Sequence, residues 1–127
     1  VDWPNGFIWG TGASSTQCEG ASPASDYLAW ERAGRAPASG DGNGFADRYA
    51  EDFALYASLG LTHHRLGVDW ARIEPERGRR DDAAVAHYRD VLQAARDAGL
   101  HPWACLLHFT LPQWFADAGD FVVTDNL

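Results

Sequence analysis

Gln17 and Glu19, Arg65 and Asp69, and His108 with Phe109 are the residues whose types and spacing suit chemistry on a polar ligand. A glutamine amide carries a donor and an acceptor side by side, so Gln17 can hold two adjacent hydroxyls. A neutral imidazole at His108 gives one hydrogen bond and takes another. A guanidinium such as Arg65, set beside a carboxylate, keeps that carboxylate ionised and lowers its pKa. Plain alternatives stand beside each. Gln17 can merely tether its loop, His108 can be a satisfied core histidine, and Arg65 can pair with a local acid such as Asp69. Spacing by itself favours the plain readings of Gln17 and His108.

Other constellations carry less. His63 and His64, with His101 or His108, invite a metal reading, but neighbouring residues of a strand point to opposite faces. No His-x-x-x-His or glutamate pair at ligand spacing supports it, so no metal site is expected. There is no Gly-x-Ser-x-Gly elbow, and Gly10-x-Gly12 lacks the third glycine of a dinucleotide loop, so no cofactor is expected. Cys18 and Cys105 lie 87 positions apart without a CxxC pairing, which predicts two reduced, buried thiols rather than a disulfide. The six tryptophans are expected mostly in the core, with one or two free to line a pocket.

These residues need elements to position them. Phe7–Thr11 follows the turn signal Pro4-Asn5-Gly6 and is predicted as a first strand. Thr11–Ser25, rich in Gly, Ala and Ser, is expected as loop, and Ala36–Gly44 as a second loop. Tyr49, Phe53, Tyr56 and Leu59 recur at helical spacing, predicting a helix over Ala46–Leu59 that Gly60 stops. Leu61–Val68 alternates as a second strand, with Arg72-Ile73-Glu74-Pro75 as loop. Asp81 and Asp82 can cap a helix whose apolar face is Val85, Tyr88, Leu92 and Ala95, before Gly99. His101–His108 is nearly continuous in apolar residues, as a doubly covered parallel strand should be, and Leu111–Ala118 is a short helix. Strand, helix, strand, helix, strand predicts an α/β parallel sheet, with ligand residues at the carboxyl ends of the strands. Three strands and so few helices leave the last strand as an apolar edge, so the architecture is incomplete as given.

Composition sets the outer bounds. A 13.9 kDa chain with 46 % hydrophobic residues can bury one core and is not a disordered tail. The formal charge of −8 disfavours nucleic acid and anionic membranes as partners. All ten basic residues are arginine, and no lysine or methionine is present. No apolar run reaches the roughly 18–20 residues of a membrane helix, and no leader pattern opens the sequence, so a cytoplasmic location is expected.

Three ordered stretches carry a resemblance. Phe7-Ile8-Trp9-Gly10, small residues, then Gln17-Cys18-Glu19-Gly20 resembles the N-terminal signature of glycoside hydrolase family 1, the β-glucosidases and their relatives. Arg48-Tyr49-x-Glu51-Asp52, Leu59-Gly60-Leu61 and Arg65-x-x-x-x-Trp70-x-Arg72-Ile73-x-Pro75 are similar to its first helix and second strand. Leu107-His108-Phe109-Thr110-Leu111-Pro112 is similar to its third-strand motif, in which tryptophan usually stands where Phe109 does. Asp120-Phe121 and Glu31 are further departures from the pattern.

The resemblance implies a (β/α)8 TIM barrel, of which residues 1–127 would be the N-terminal three βα units of one domain. Such a barrel needs on the order of 250 residues, so the remainder is expected C-terminal to Leu127. It also implies a retaining β-glycosidase, whose two glutamates stand about 5–5.5 Å apart. Their motifs, Asn-Glu-Pro and Glu-Asn-Gly, do not occur among these residues. By resemblance Gln17, His108 and Phe109 bind the non-reducing sugar of a β-glycoside or oligosaccharide, and Arg65 supports the nucleophile. The chain alone is then expected to be inactive and poorly folded, aggregated or oligomeric. The alternative is a stand-alone, non-catalytic carbohydrate-binding or assembly module.

Overall fold

Glycines at one edge and apolar side chains in the middle decide how the sheet forms. A computed structural model describes residues 2–126; Val1 and Leu127, the ends of the expected 1–127 domain, lie outside the described residues. β1 (Gly10–Ala13), β2 (His63–Gly67) and β3 (His101–Cys105) form one parallel sheet in that order. Gly10 pairs with His63, and His63 with His101; Gly12 pairs with Arg65, and Arg65 with Trp103. The first strand starts later than the expected Phe7–Thr11. A Cβ on Gly10 would lie 2.5 Å from the carbonyl oxygen of His63, so the close backbone approach needs glycine there. The apolar run Phe7–Trp9 stays outside the sheet, and Trp3, Phe7 and Trp9 pack on one another with ring centroids 4.5–4.9 Å apart.

Between β1 and β2 lie α1 (Ser15–Glu19), α2 (Asp26–Arg32) and α3 (Phe45–Ser58). The first of these, α1, interrupts what composition predicts as loop, and α2 begins directly after that loop. Ser14 caps α1 by accepting from the Gln17 backbone N–H, and Ser25 caps α2 by accepting from that of Leu28. Serines that read as loop composition are here helix caps. The expected loop at Arg72–Pro75 likewise holds a short helix, α4 (Trp70–Ile73), capped by Asp69. α5 (Asp82–Asp97) starts where predicted, with Asp81 accepting from the N–H groups of Ala83 and Ala84. α6 (Gln113–Asp117) and two single 3-10 turns complete the described residues.

The core lies on one face of the sheet. Leu66 and His64 of β2 meet Phe45 and Phe53 of α3 and Tyr88, Val91 and Ala95 of α5, with Leu100 closing the group. The opposite face carries His63, Arg65, His101 and Trp103, and it is open: the His63 and His101 rings stand 4.9 Å apart, and Trp103 is exposed. That corrects the expectation for tryptophan. Trp3, Trp9, Trp30 and Trp103 are exposed, while Trp70 and Trp114 are half-buried, each donating its indole N–H to Glu74. Both cysteines are free and half-buried rather than buried. Among the described residues no helix is long and apolar enough to cross a membrane.

Candidate functional site

Arg65 anchors the arrangement at the carboxyl end of the sheet. Its Nη2 donates to Cys105 Sγ at 3.2 Å and to His108 Nδ1 at 3.3 Å, and its Nη1 lies toward Gly12 of β1. The guanidinium therefore spans all three strands. Burial, and then the neighbouring Arg65 charge, hold His108 below the ordinary histidine range. With Nδ1 accepting from Arg65, the proton of the neutral ring sits on Nε2, which is left as a donor.

Phe109 is held out beside His108, with ring centroids 5.0 Å apart. Its φ of 56° is left-handed, a strained conformation for an aromatic residue. The surrounding hydrogen bonds sustain it. Asp26 N–H donates to the Leu111 carbonyl and Leu111 N–H to Asp26 Oδ1, both at 2.9 Å, and Gln113 N–H donates to the Ala24 carbonyl at 2.7 Å. The loop after β3 is thus strapped to the start of α2, whose Tyr27 ring lies 5.7 Å from that of Phe109.

Gln17 projects from α1, exposed at the carboxyl end of β1. The Ser14 hydroxyl donates to Gln17 Oε1 at 2.8 Å, which leaves the side-chain NH2 outward as a donor. Gly20 ends this helix at φ 82°, and a Cβ there would lie 2.0 Å from the Gly40 carbonyl oxygen. Only glycine lets the second loop close over α1. Arg65, Cys105, His108 and Phe109 are brought into one cluster, and Gln17 stands at the same end of the sheet on its own helix. None of them is a core side chain: His108 is half-buried, and Gln17, Arg65 and Phe109 are exposed.

Asp69 does not pair with Arg65. It is buried, caps α4 through the Ala71 N–H at 2.9 Å, and lies 3.8 Å from Arg72 Nε. The same Arg72 Nε lies 3.6 Å from Glu19 Oε2, which also accepts from the Tyr88 hydroxyl at 2.9 Å. Tyr88 counts in the sequence only as one residue of an apolar helix face, so the spacing signals no polar role for it. Among the described residues no group of three or more His, Cys, Asp or Glu side chains is placed to hold a metal.

The chain is similar to known proteins in sequence and in fold. Residues 1–126 match the family model for glycosyl hydrolase family 1. The sequence is 35 % identical to coniferin beta-glucosidase of Pinus contorta, covering 92 % of this chain and 25 % of that protein. It is 32 % identical to thermostable beta-glucosidase B of Thermobispora bispora, covering 99 % and 28 %. Among solved structures, the apo form of beta-glucosidase 1317 superposes with a TM-score of 0.90 at 44 % identity, covering 95 % of this chain and 31 % of that one. The beta-glycosidase from Pyrococcus horikoshii gives 0.89 at 33 %, covering 98 % and 30 %. The chain thus spans about a quarter of the length of the curated relatives it matches.

Proposed function

The chain belongs to glycosyl hydrolase family 1, its sheet being the N-terminal three βα units of a (β/α)8 barrel, and from that premise we propose that it supplies the sugar-holding part of a retaining β-glycosidase. The observation that carries this reading is the Arg65–His108 contact at the carboxyl ends of β2 and β3. It leaves His108 Nε2–H as a donor toward sugar hydroxyls, as Ser14 leaves the Gln17 NH2, beside the exposed face of the Phe109 ring. An aromatic face suits sugar C–H bonds, but phenylalanine has no indole N–H to donate. The sugar hydroxyl that an indole would hold is then left to other groups.

Arg65 has further guanidinium donors for a carboxylate. On this reading the partner is the nucleophilic glutamate, supplied with the general acid/base by a remainder of the barrel beyond Leu127. Retention requires both carboxyl groups about 5–5.5 Å apart, and neither of their motifs is present in residues 1–127. The substrate is a β-glycoside, with no nucleic acid or membrane partner and a cytoplasmic setting.

Hydrolysis of a chromogenic aryl β-glucoside by the 127-residue chain, beside its full reading frame, tests this. Turnover is expected only in the longer protein. There, Gln17→Ala and His108→Ala should each lower kcat/KM by about 10- to 100-fold, the value of one or two hydrogen bonds to a polar substrate. Turnover by the short chain alone would end the reading, because the two glutamates would then be dispensable. Sugar binding without turnover in both forms would favour the non-catalytic module.

A further inference from the structure

Glu19 follows Gln17 by two positions, and the sugar reading gives it no work. It is the last residue of α1, and its side chain is buried. A five-residue helix has almost no stability of its own. Ser14 holds the first turn, and the far end leaves carbonyls without helical partners. Arg72 satisfies two of them, its Nη2 donating to the carbonyls of Glu19 at 3.3 Å and Gly20 at 2.8 Å. Tyr88 and Arg72 together then hold the Glu19 carboxyl. Two buried carboxyls around one guanidinium are a poor way to stabilise a core, since apolar side chains of similar volume do as well or better. What the cluster delivers is a fixed position.

We propose that Glu19 is a positioning residue: held by Tyr88 and Arg72, it fixes the C-terminal end of α1 and with it the direction in which Gln17 presents its amide. The bearing of this clamp on sugar binding rests on the function proposed above; the clamp itself does not.

The groups facing Glu19 come from every element packed against it. Arg72 of α4 and Asp69 ahead of it, and Tyr88 and His87 of α5, are joined by Asp47 of α3 and Asp81. All but Asp69 line, with Glu19, a cleft of about 470 Å³ behind α1, which Gln17, Arg65 and His108 do not enter. Burial outweighs Tyr88 and Arg72 and pushes Glu19 up to about 7 from an ordinary 4.5. When α1 opens, Glu19 meets water and returns to its ordinary value. The closed clamp therefore holds a proton that the open form releases between those values. Rising pH favours opening across that window.

Residue-resolved hydrogen exchange on the full reading frame reads this directly, with no sugar present. From about pH 5 to about pH 8, protection of the Gln17–Glu19 amides should fall on the order of 50-fold relative to that of α3. Glu19→Gln, neutral throughout, should abolish the step. Tyr88→Phe should lower α1 protection about tenfold at each pH, the value of one hydrogen bond to a carboxyl, with α3 and α5 unchanged. A pH step that persists in Glu19→Gln overturns the proposal. So does a Tyr88→Phe effect shared equally by α3 and α5, since Glu19 would then be an ordinary core group. If the exchange results hold while Gln17→Ala leaves kcat/KM untouched, the clamp stands and the sugar reading falls.

Discussion

In dilute buffer the 127-residue chain should sediment as associated species rather than as a monomer, and charges placed on its open face should restore the monomer. The sheet has two unpaired edges, β1 and β3, and a parallel sheet is stable when both faces are covered. Here one face holds the core, and the other shows Trp103, 57 % exposed, continuing into Leu106, 75 % exposed. Val68, Trp70, Ile73, Leu106, Leu107 and Phe121 also frame an apolar hollow of about 360 Å³. Copies that pair edge to edge add strands three at a time, and eight strands are not a multiple of three. Association by that route does not close into a barrel and continues to larger species. The formal charge of −8 opposes it, so added salt should increase the mean mass by screening. Trp103→Glu with Leu106→Glu should shift most of the sample to monomer in sedimentation velocity. A wild-type monomer with a sharp, cooperative unfolding transition at micromolar concentration would show that three units suffice, and the edge argument would fall.

The same incomplete covering explains what was legible in the sequence. Helices with a strong period and a stop signal could be placed closely: the predicted Ala46–Leu59 is observed at Phe45–Ser58, and the Asp81 cap opens α5 at Asp82. Both bury one face against β2, so their period reflects a real core. β1 was not legible in its bounds, because its pairing depends on close backbone approach at Gly10, while the apolar run beside it has nothing to pack under. α1 and α4 are too short for a period, and only the capping serine and aspartate at Ser14 and Asp69 signal them. At the candidate site, motif order nominates Gln17, Arg65, His108 and Phe109, and the fold brings Arg65, His108 and Phe109 together. Spacing could not tell which acid each arginine would meet. Arg65 turns toward β3, and Asp69 is taken up by α4 and Arg72. Tyr88 lies 69 positions from the glutamate it holds, a separation that no local pattern reports.

Acid should destabilise the fold through His64 before most carboxylates titrate. This ring is buried at the centre of the core, its Nδ1 2.7 Å from Thr11 Oγ1 and its Nε2 without a partner. It stacks on Phe45 and Tyr56 and meets Phe53 edge-on, so rings offer π faces to an imidazolium but no lone pair. Burial therefore dominates over the attraction of Asp52 and lowers His64 from 6.5 to about 4. The folded value lies below the unfolded one. Above pH 6.5 both states carry a neutral ring and nothing is lost; between 6.5 and about 4 the unfolded chain binds a proton that the native core refuses, and stability falls as pH falls. The loss reaches at most about 3 kcal/mol, a large share of the roughly 5–15 kcal/mol of a typical domain. Glu19 acts oppositely in the overlapping window, its raised value costing stability as pH rises from 4.5 toward about 7. The two are separated by comparison with His64→Asn, whose side-chain oxygen can meet Thr11 without titrating. In the charge-substituted monomer, denaturant midpoints from pH 7 to pH 4 should fall more steeply with His64 than with asparagine, by about 3 kcal/mol across that range. Parallel profiles would mean that His64 titrates as an exposed histidine does, and that the aromatic pocket of Phe45, Phe53 and Tyr56 admits the charge.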